Sequence, residues 1–347
     1  MDRRDGREPW QAWIAASCWA LTGIDLGADP YLTDRAVLCH RLGDDPLFVY
    51  ANEFAQRLWE RPWHTMIGLP SRLTAPPDHR SSRSDTLSGN DVVTGYSGER
   101  ISATGRRFVI HDATVWPVRD DDARLVGQAA TFQHFERLEL PLLEVLATSA
   151  DEVAEAVRCG ADRIELCVDY PAGGVTPPPE LISAAVAATR ESSIGVMVMI
   201  RPRPGDFVYS PSDIDVMRSA VDTAVTMGAA GVVAGCLTPG GGVDETATRR
   251  LVEAAQGVPV TFHRAVDDAA DPVAAALTAF ELGCARVLTS GGAPTAVEGV
   301  ESIRRMVEAA PRDAIVMPGS GVRSGNAQEL RTATGATELH ASLKFFR

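Results

Sequence analysis

From residue 142 onward the hydrophobic pattern repeats itself. A short, almost continuous apolar run is followed by a loop rich in Gly, Pro, Asp or Thr, and then by an Ala-rich stretch carrying Glu and Arg. The runs are LLEVLAT (142–148), RIELCVD (163–169), GVMVMIRPR (195–203), GVVAGCLT (231–238), PVTFHRAV (259–266), RVLTSGG (286–292), IVMPGSGV (315–322) and ELHASL (338–343). Between them lie helical segments such as DPVAAALTAFELGC, with Asp at the amino-terminal cap and Gly ahead of the next strand. Strands buried on both faces and alternating with helices predict a parallel sheet covered by helices, and eight such units predict a (β/α)8 TIM barrel over 142–347. In such barrels the chemistry sits at the carboxyl ends of the strands.

The first 133 residues are patterned differently. AVLCHRLGDDPLFVYANEFAQRLWE predicts strand, turn, strand and then a helix opened by Asn52. RRFVIHDATVWPVRD and RLVGQAATFQHF predict two antiparallel strands joined through the DDDA turn. A smaller α+β domain over 1–133 follows, with the linker placed at QHFERLE and bounded as 134–141. PWQAWIAASCWALTG is too short an apolar run to span a bilayer and predicts an amphipathic helix packed on this domain.

Composition narrows the function. A net charge of −13 argues against nucleic acid or an anionic membrane surface as main partner. Of the 33 basic residues a single one, Lys344, is lysine, and it falls just past the last strand, which disfavours Schiff-base chemistry. Six cysteines without a CxxC pair suggest neither a disulfide framework nor a zinc knuckle, and fit a reducing cytoplasm. His40, His64, His79, His111 and His134 lack metal-ligand spacing.

The strand endings RIELC, GGVTPP, MIRPRPGDFVYS, FHRA, LTSGG, MPGSGV and HAS resemble the CutC family of copper homeostasis proteins, in family order over Leu142–Ser342. The resemblance implies a cytoplasmic, self-associating TIM barrel linked to copper handling. Two departures stand out: Val145 and Leu146 follow Glu144 where the family's first strand commonly carries a cysteine, and many members continue into an eighth helix, so the amino-terminal domain or a second subunit is expected to cover that flank. DPLFVYANEFAQRLWE, MIGLPSRLTAPPDHR, TGYSGERISATGRRF and DATVW, spanning about Ala36–Phe132, resemble the MEKHLA domain, a relative of PAS sensor folds. That resemblance implies a PAS-like fold for the smaller α+β domain, serving as a sensory or dimerising module.

Side chains alternate along a strand, so one parity of each barrel strand points inward. That parity selects Glu165 and Cys167, then Met197, Met199, Arg201 and Arg203, then His263 and His340. Arg201 is suited to a carboxylate or phosphate, while Glu165 and His263 can exchange protons near neutral pH. Alternatively, Glu165 and Arg201 form a buried structural pair. Thr289, Ser290, Gly291 and Gly292, with Gly319, Ser320 and Gly321, end successive strands in small residues whose backbone N–H groups suit an anion. Cys167 and Met199 are the soft donors that Cu(I) would take. Two functions stay open: copper binding or handling, and a lyase, isomerase or hydrolase acting on a small anionic molecule, phosphorylated ones included.

Overall fold

Alternation along β1 (Ala36–Arg41) explains how the first unit is layered. Ala36 and Leu38 feed one apolar cluster, with Trp59, Phe108 and Phe132, while Val37 and Cys39 feed another, with Ile14, Cys18 and Trp116. The computed structural model describes residues 8–76, 91–138, 142–192 and 194–346, and the chain divides into two units, Met1–Leu138 and Glu139–Arg347. His79 and the end of the TAPPDHR motif lie outside the described residues.

In the first unit α1 (Glu8–Thr22) supplies Ile14 and Cys18 to one face of the sheet. β2 (Phe48–Ala51) leads to α2 (Glu53–Leu58), whose cap Asn52 is fully buried and accepts the Ala55 N–H at 3.0 Å and the Val37 N–H at 2.9 Å. After α3 (Trp63–Met66) come β3 (Val93–Ile101), β4 (Arg107–Arg119) and β5 (Leu125–Phe132), in the antiparallel order β2-β1-β5-β4-β3. His134–Arg137, expected as linker, instead forms β6 and pairs with β4. This edge strand is polar and exposed on most positions, which weakens its strand pattern.

The second unit carries β7 (Leu142–Ala147), α4 (Ala150–Cys159), β8 (Arg163–Leu166), α5 (Pro179–Thr189), β9 (Gly195–Met199), α6 (Pro211–Thr226), β10 (Gly231–Ala234), α7 (Glu245–Ala254), β11 (Val260–Phe262), α8 (Pro272–Glu281), β12 (Arg286–Thr289), α9 (Val300–Ala309), β13 (Ile315–Pro318), α10 (Ala327–Thr334) and β14 (Glu338–Ser342). The eight strands form one sheet in the order β13-β12-β11-β10-β9-β8-β7-β14. Among the described residues no ladder joins β13 to β14, yet a Cβ at Gly319 would lie 3.4 Å from His340 Cβ, so the two edges adjoin. Val145, Ile164, Val196, Val198, Val232, Phe262, Val287, Val316 and Leu339 pack outward in one cluster, leaving the opposite parity for the interior. The carboxyl flank is covered from within this unit: Leu343–Phe346 forms a 3-10 turn with Leu343 buried and Phe345 and Phe346 packed on that cluster.

Candidate functional site

Inward parity brings Glu165, Arg201, His263 and His340 to one cavity of about 680 Å³, lined also by Cys167, Met199, Phe207, Ser320 and Gly321. That volume suits a small molecule rather than a lone ion, since ligand pockets run to about 300–1,000 Å³. Arg264, Arg323 and Lys344 add three cations to Arg201, against Glu152, Glu165 and Asp268. A chain with a net charge of −13 thus gathers slightly more cations than acids at this mouth.

Arg201 is 5% exposed and has no carboxylate within ion-pair distance among the described residues. Its guanidinium donates to the carbonyls of Ala172 at 3.2 Å, Gly174 at 3.1 Å and Gly205 at 2.7 Å, and lies 4.8 Å from the Phe207 ring centre. Gly173 makes that approach possible, because a Cβ there would stand 2.7 Å from Arg201 Nη1. Arg201 Nε and the nearby Tyr209 hydroxyl are both buried, and among the described residues the only partner within reach of the hydroxyl is Arg201 itself, through a weak hydrogen bond. Burial pushes the Tyr209 hydroxyl up to about 12, against the opposing charges of Arg201 and Arg203.

His263 follows the last residue of β11 and packs 4.9 Å from Phe207, ring centre to ring centre. Its Nδ1 accepts the Ala265 N–H at 3.2 Å, which places the neutral ring's proton on Nε2, a buried donor with no partner. Burial first, and the Arg201 charge second, lower its pKa to about 4. His263 is therefore neutral in the fold, and the stability it contributes is complete above about pH 6.5 and lost as pH falls towards about 4. His340 behaves oppositely: burial alone would lower its pKa, but the charge and hydrogen bond of Glu165, helped by Glu144, raise it above 6.5. Its contribution is lost only as pH rises through that raised value, so it adds nothing to the acid limb. Between pH 6.5 and 4.5 the wild type is expected to lose about 2 kcal/mol more stability than His263→Gln, measured by urea unfolding. Equal acid slopes for the two proteins would show that His263 is not held neutral.

Glu165 is committed to His340, whose Nε2 meets its Oε2, and forms no ion pair with Arg201 among the described residues. Below this pair lies an ionic network that the sequence reasoning missed. Arg163 bridges Glu144 and Glu338, with Nη2 2.7 Å from Glu338 Oε2, and Arg286 Nε reaches the same oxygen at 3.1 Å. All four are at most 2% exposed. Each is a charged residue at inward parity on a barrel strand, and that was the available signal.

Three expectations need correction. Arg203 lies beyond β9, is half-exposed, and is held by Asp206 at 3.0 Å and the Val208 carbonyl at 2.6 Å outside the cavity. The Thr289–Gly292 loop does not offer free amides. Asp267 occupies it, accepting Thr289 Oγ1 at 2.5 Å, the Ser290 N–H at 2.9 Å and the Gly292 N–H at 3.0 Å, while Gly291 N–H donates to Thr289 Oγ1 at 2.8 Å. An internal carboxylate fills the anion seat. Gly319 likewise donates its amide to the Thr289 carbonyl at 2.8 Å. Ser320 and Gly321, by contrast, line the cavity with Arg323. Lys344 reaches the rim but is exposed rather than enclosed in the apolar pocket that Schiff-base chemistry uses.

Cys167 and Met199 converge, since a Cβ at Gly174 would lie 3.1 Å from Cys167 Sγ and 4.0 Å from Met199 Cε. Burial, followed by the charges of Glu165 and Glu152, pushes the Cys167 thiol up to about 12, so a metal there must displace its proton.

Residues 141–345 match the model of the CutC family. The chain belongs to the CutC family. A CutC family protein of Xanthomonas campestris pv. campestris (strain 8004) is 46% identical over 203 residues, covering 58% of this chain and 83% of the relative. The human copper homeostasis protein cutC homolog is 42% identical over 206 residues, covering 59% of this chain and 74% of that protein. A Streptococcus agalactiae CutC crystal structure, at 30% identity and a TM-score of 0.57, is covered entirely by 59% of this chain. The barrel is thus the CutC part. Residues 19–137 match the MEKHLA domain model. No helix among the described residues is long and apolar enough to cross a membrane.

Proposed function

We propose that this CutC family member serves copper homeostasis in the cytoplasm, binding Cu(I) at Cys167 and Met199, with the MEKHLA domain as a sensory module. The observation that carries the metal reading is the convergence of one thiol and one thioether on the same point of the barrel mouth. Soft sulfur donors select Cu(I) over the hard cations. All six cysteines are free, which suits a reducing compartment. Competition with a chromophoric Cu(I) chelator is expected to show about one ion retained per chain, and its loss in Cys167→Ser, because a single thiolate dominates a soft site. Equal retention by the variant would remove this site.

A second reading is favoured by Arg201, a buried cation without a carboxylate partner among the described residues. A guanidinium in such a place is costly unless an anion meets it. The mouth then recognises a small carboxylate or phosphate, with Arg201 as anchor, the neutral His263 as donor through Nε2, and the Ser320–Gly321 turn with Arg323 opposite. The chemistry of a lyase, isomerase or hydrolase is compatible with that arrangement. Self-association is part of the proposal, supported by Trp19 and Leu21, which α1 leaves 64% and 47% exposed, and native mass spectrometry reads it directly.

A further inference from the structure

We infer that Glu144, Glu165 and His340 form a separate site for a divalent metal ion of the zinc or manganese kind, deeper in the barrel than the sulfur pair. Each of the three offers one ligand atom, and these atoms lie within 4.8 Å of one another. They come from β8, β7 and β14, which are consecutive neighbours in the sheet, with His340 in register with Glu144 and Leu146 in register with Glu165. Strands hold such groups more firmly than loops do.

An independent observation points to an occupant. Glu144 is fully buried and Glu165 is 1% exposed. One oxygen of each is engaged, Oε2 of Glu144 by Arg163 and Oε2 of Glu165 by His340. The other oxygen of each, Oε1, is buried without a hydrogen-bond partner. A buried carboxylate oxygen left unmet is costly, and one cation would satisfy both. Arg163 orients Glu144 and is itself oriented by Glu338, the arrangement of an outer shell around a metal ligand.

Two carboxylates and an imidazole are hard to borderline donors, suited to Zn²⁺ or Mn²⁺ and poorly suited to Cu(I). Glu165 and His340 line the mouth cavity, so a further coordination position would open toward any anion held at Arg201. The site goes beyond the Cu(I) reading and uses none of its residues.

The test is Mn²⁺ titration of the metal-stripped full chain, followed by electron paramagnetic resonance, with Zn²⁺ as a competitor. Mn²⁺ disfavours thiols, so the result does not depend on Cys167. The wild type is expected to hold about one Mn²⁺ per chain, displaced by Zn²⁺, and Glu165→Gln and His340→Gln are each expected to weaken it at least about tenfold. Circular dichroism establishes that the two variants remain folded, and if one does not, the other carries the comparison. Thermal melts of the wild type alone give a further arm, because an ion that binds only the folded state raises its midpoint. A wild type that neither retains Mn²⁺ nor gains thermal stability from either ion, or folded variants that bind as the wild type does, would overturn the site. Failure of Cu(I) to bind would leave it untouched.

Discussion

Glu338→Ala is expected to cost the barrel about 3–5 kcal/mol, the largest single-residue loss in the interior. Glu338 Oε2 receives Arg163 Nη2 at 2.7 Å and Arg286 Nε at 3.1 Å, and none of the three is more than 2% exposed. Removing the carboxylate leaves two buried guanidiniums, of which Arg163 still meets Glu144, no longer balanced within the network. The pair's own net value is smaller than this loss, because most of the penalty is the stranded charge. A double variant, Glu338→Leu with Arg286→Met, removes one charge of each sign and is expected to recover part of the loss. The measurement exploits the chain's layout. All six tryptophans lie at or before Trp116, in the first unit, whereas the second unit carries most of the helix. Urea unfolding followed by tryptophan fluorescence therefore reports the first unit, and far-ultraviolet circular dichroism reports chiefly the barrel. Only the second transition should move. A shift below about 1 kcal/mol would show that the network does not hold the barrel together.

The eight barrel strands were legible because their outward positions are apolar and each strand stands out as a run between Gly- and Pro-rich loops. Their carboxyl ends were not. The run at 195–203 leaves the sheet at Arg201: Ile200 N–H still donates to the Val233 carbonyl at 2.7 Å, but Arg201 N–H donates to Thr176 Oγ1 at 2.8 Å and its carbonyl accepts the Thr176 N–H at 3.0 Å. Parity depends only on the pleat, so it holds within the strands and fails at Arg203, which lies past the end of β9 and outside the cavity. Pairing between those side chains depends on how distant strands come together. Glu165 meets His340 across 175 residues of sequence, and the seat expected to hold an external anion is filled by Asp267, two βα units of sequence pattern folded onto each other. The aspartate directly follows the PVTFHRAV run, but nothing local says that its carboxylate reaches the following loop.

Arg201→Ala is expected to abolish anion recognition at the mouth while leaving the barrel folded. The structural alternative held that Arg201 balances Glu165, in which case its removal would strand a buried carboxylate at about 3–5 kcal/mol. Glu165 pairs with His340 instead, so the loss is that of the hydrogen bonds to the Ala172, Gly174 and Gly205 carbonyls, about 1–3 kcal/mol in all. Phosphate and small carboxylates are expected to raise the melting temperature of the wild type, and the variant should lose at least about tenfold in affinity. Arg201→Lys keeps the charge but not the planar fork, and should fall between the two. Because Phe207 lies 4.8 Å from the Arg201 guanidinium and 4.9 Å from the His263 ring, Phe207→Ala should weaken the same anions by loosening both groups. A wild-type melt that none of these anions raises, beside an Arg201→Ala protein destabilised by more than about 3 kcal/mol, would leave Arg201 a structural residue and return the mouth to the sulfur pair alone.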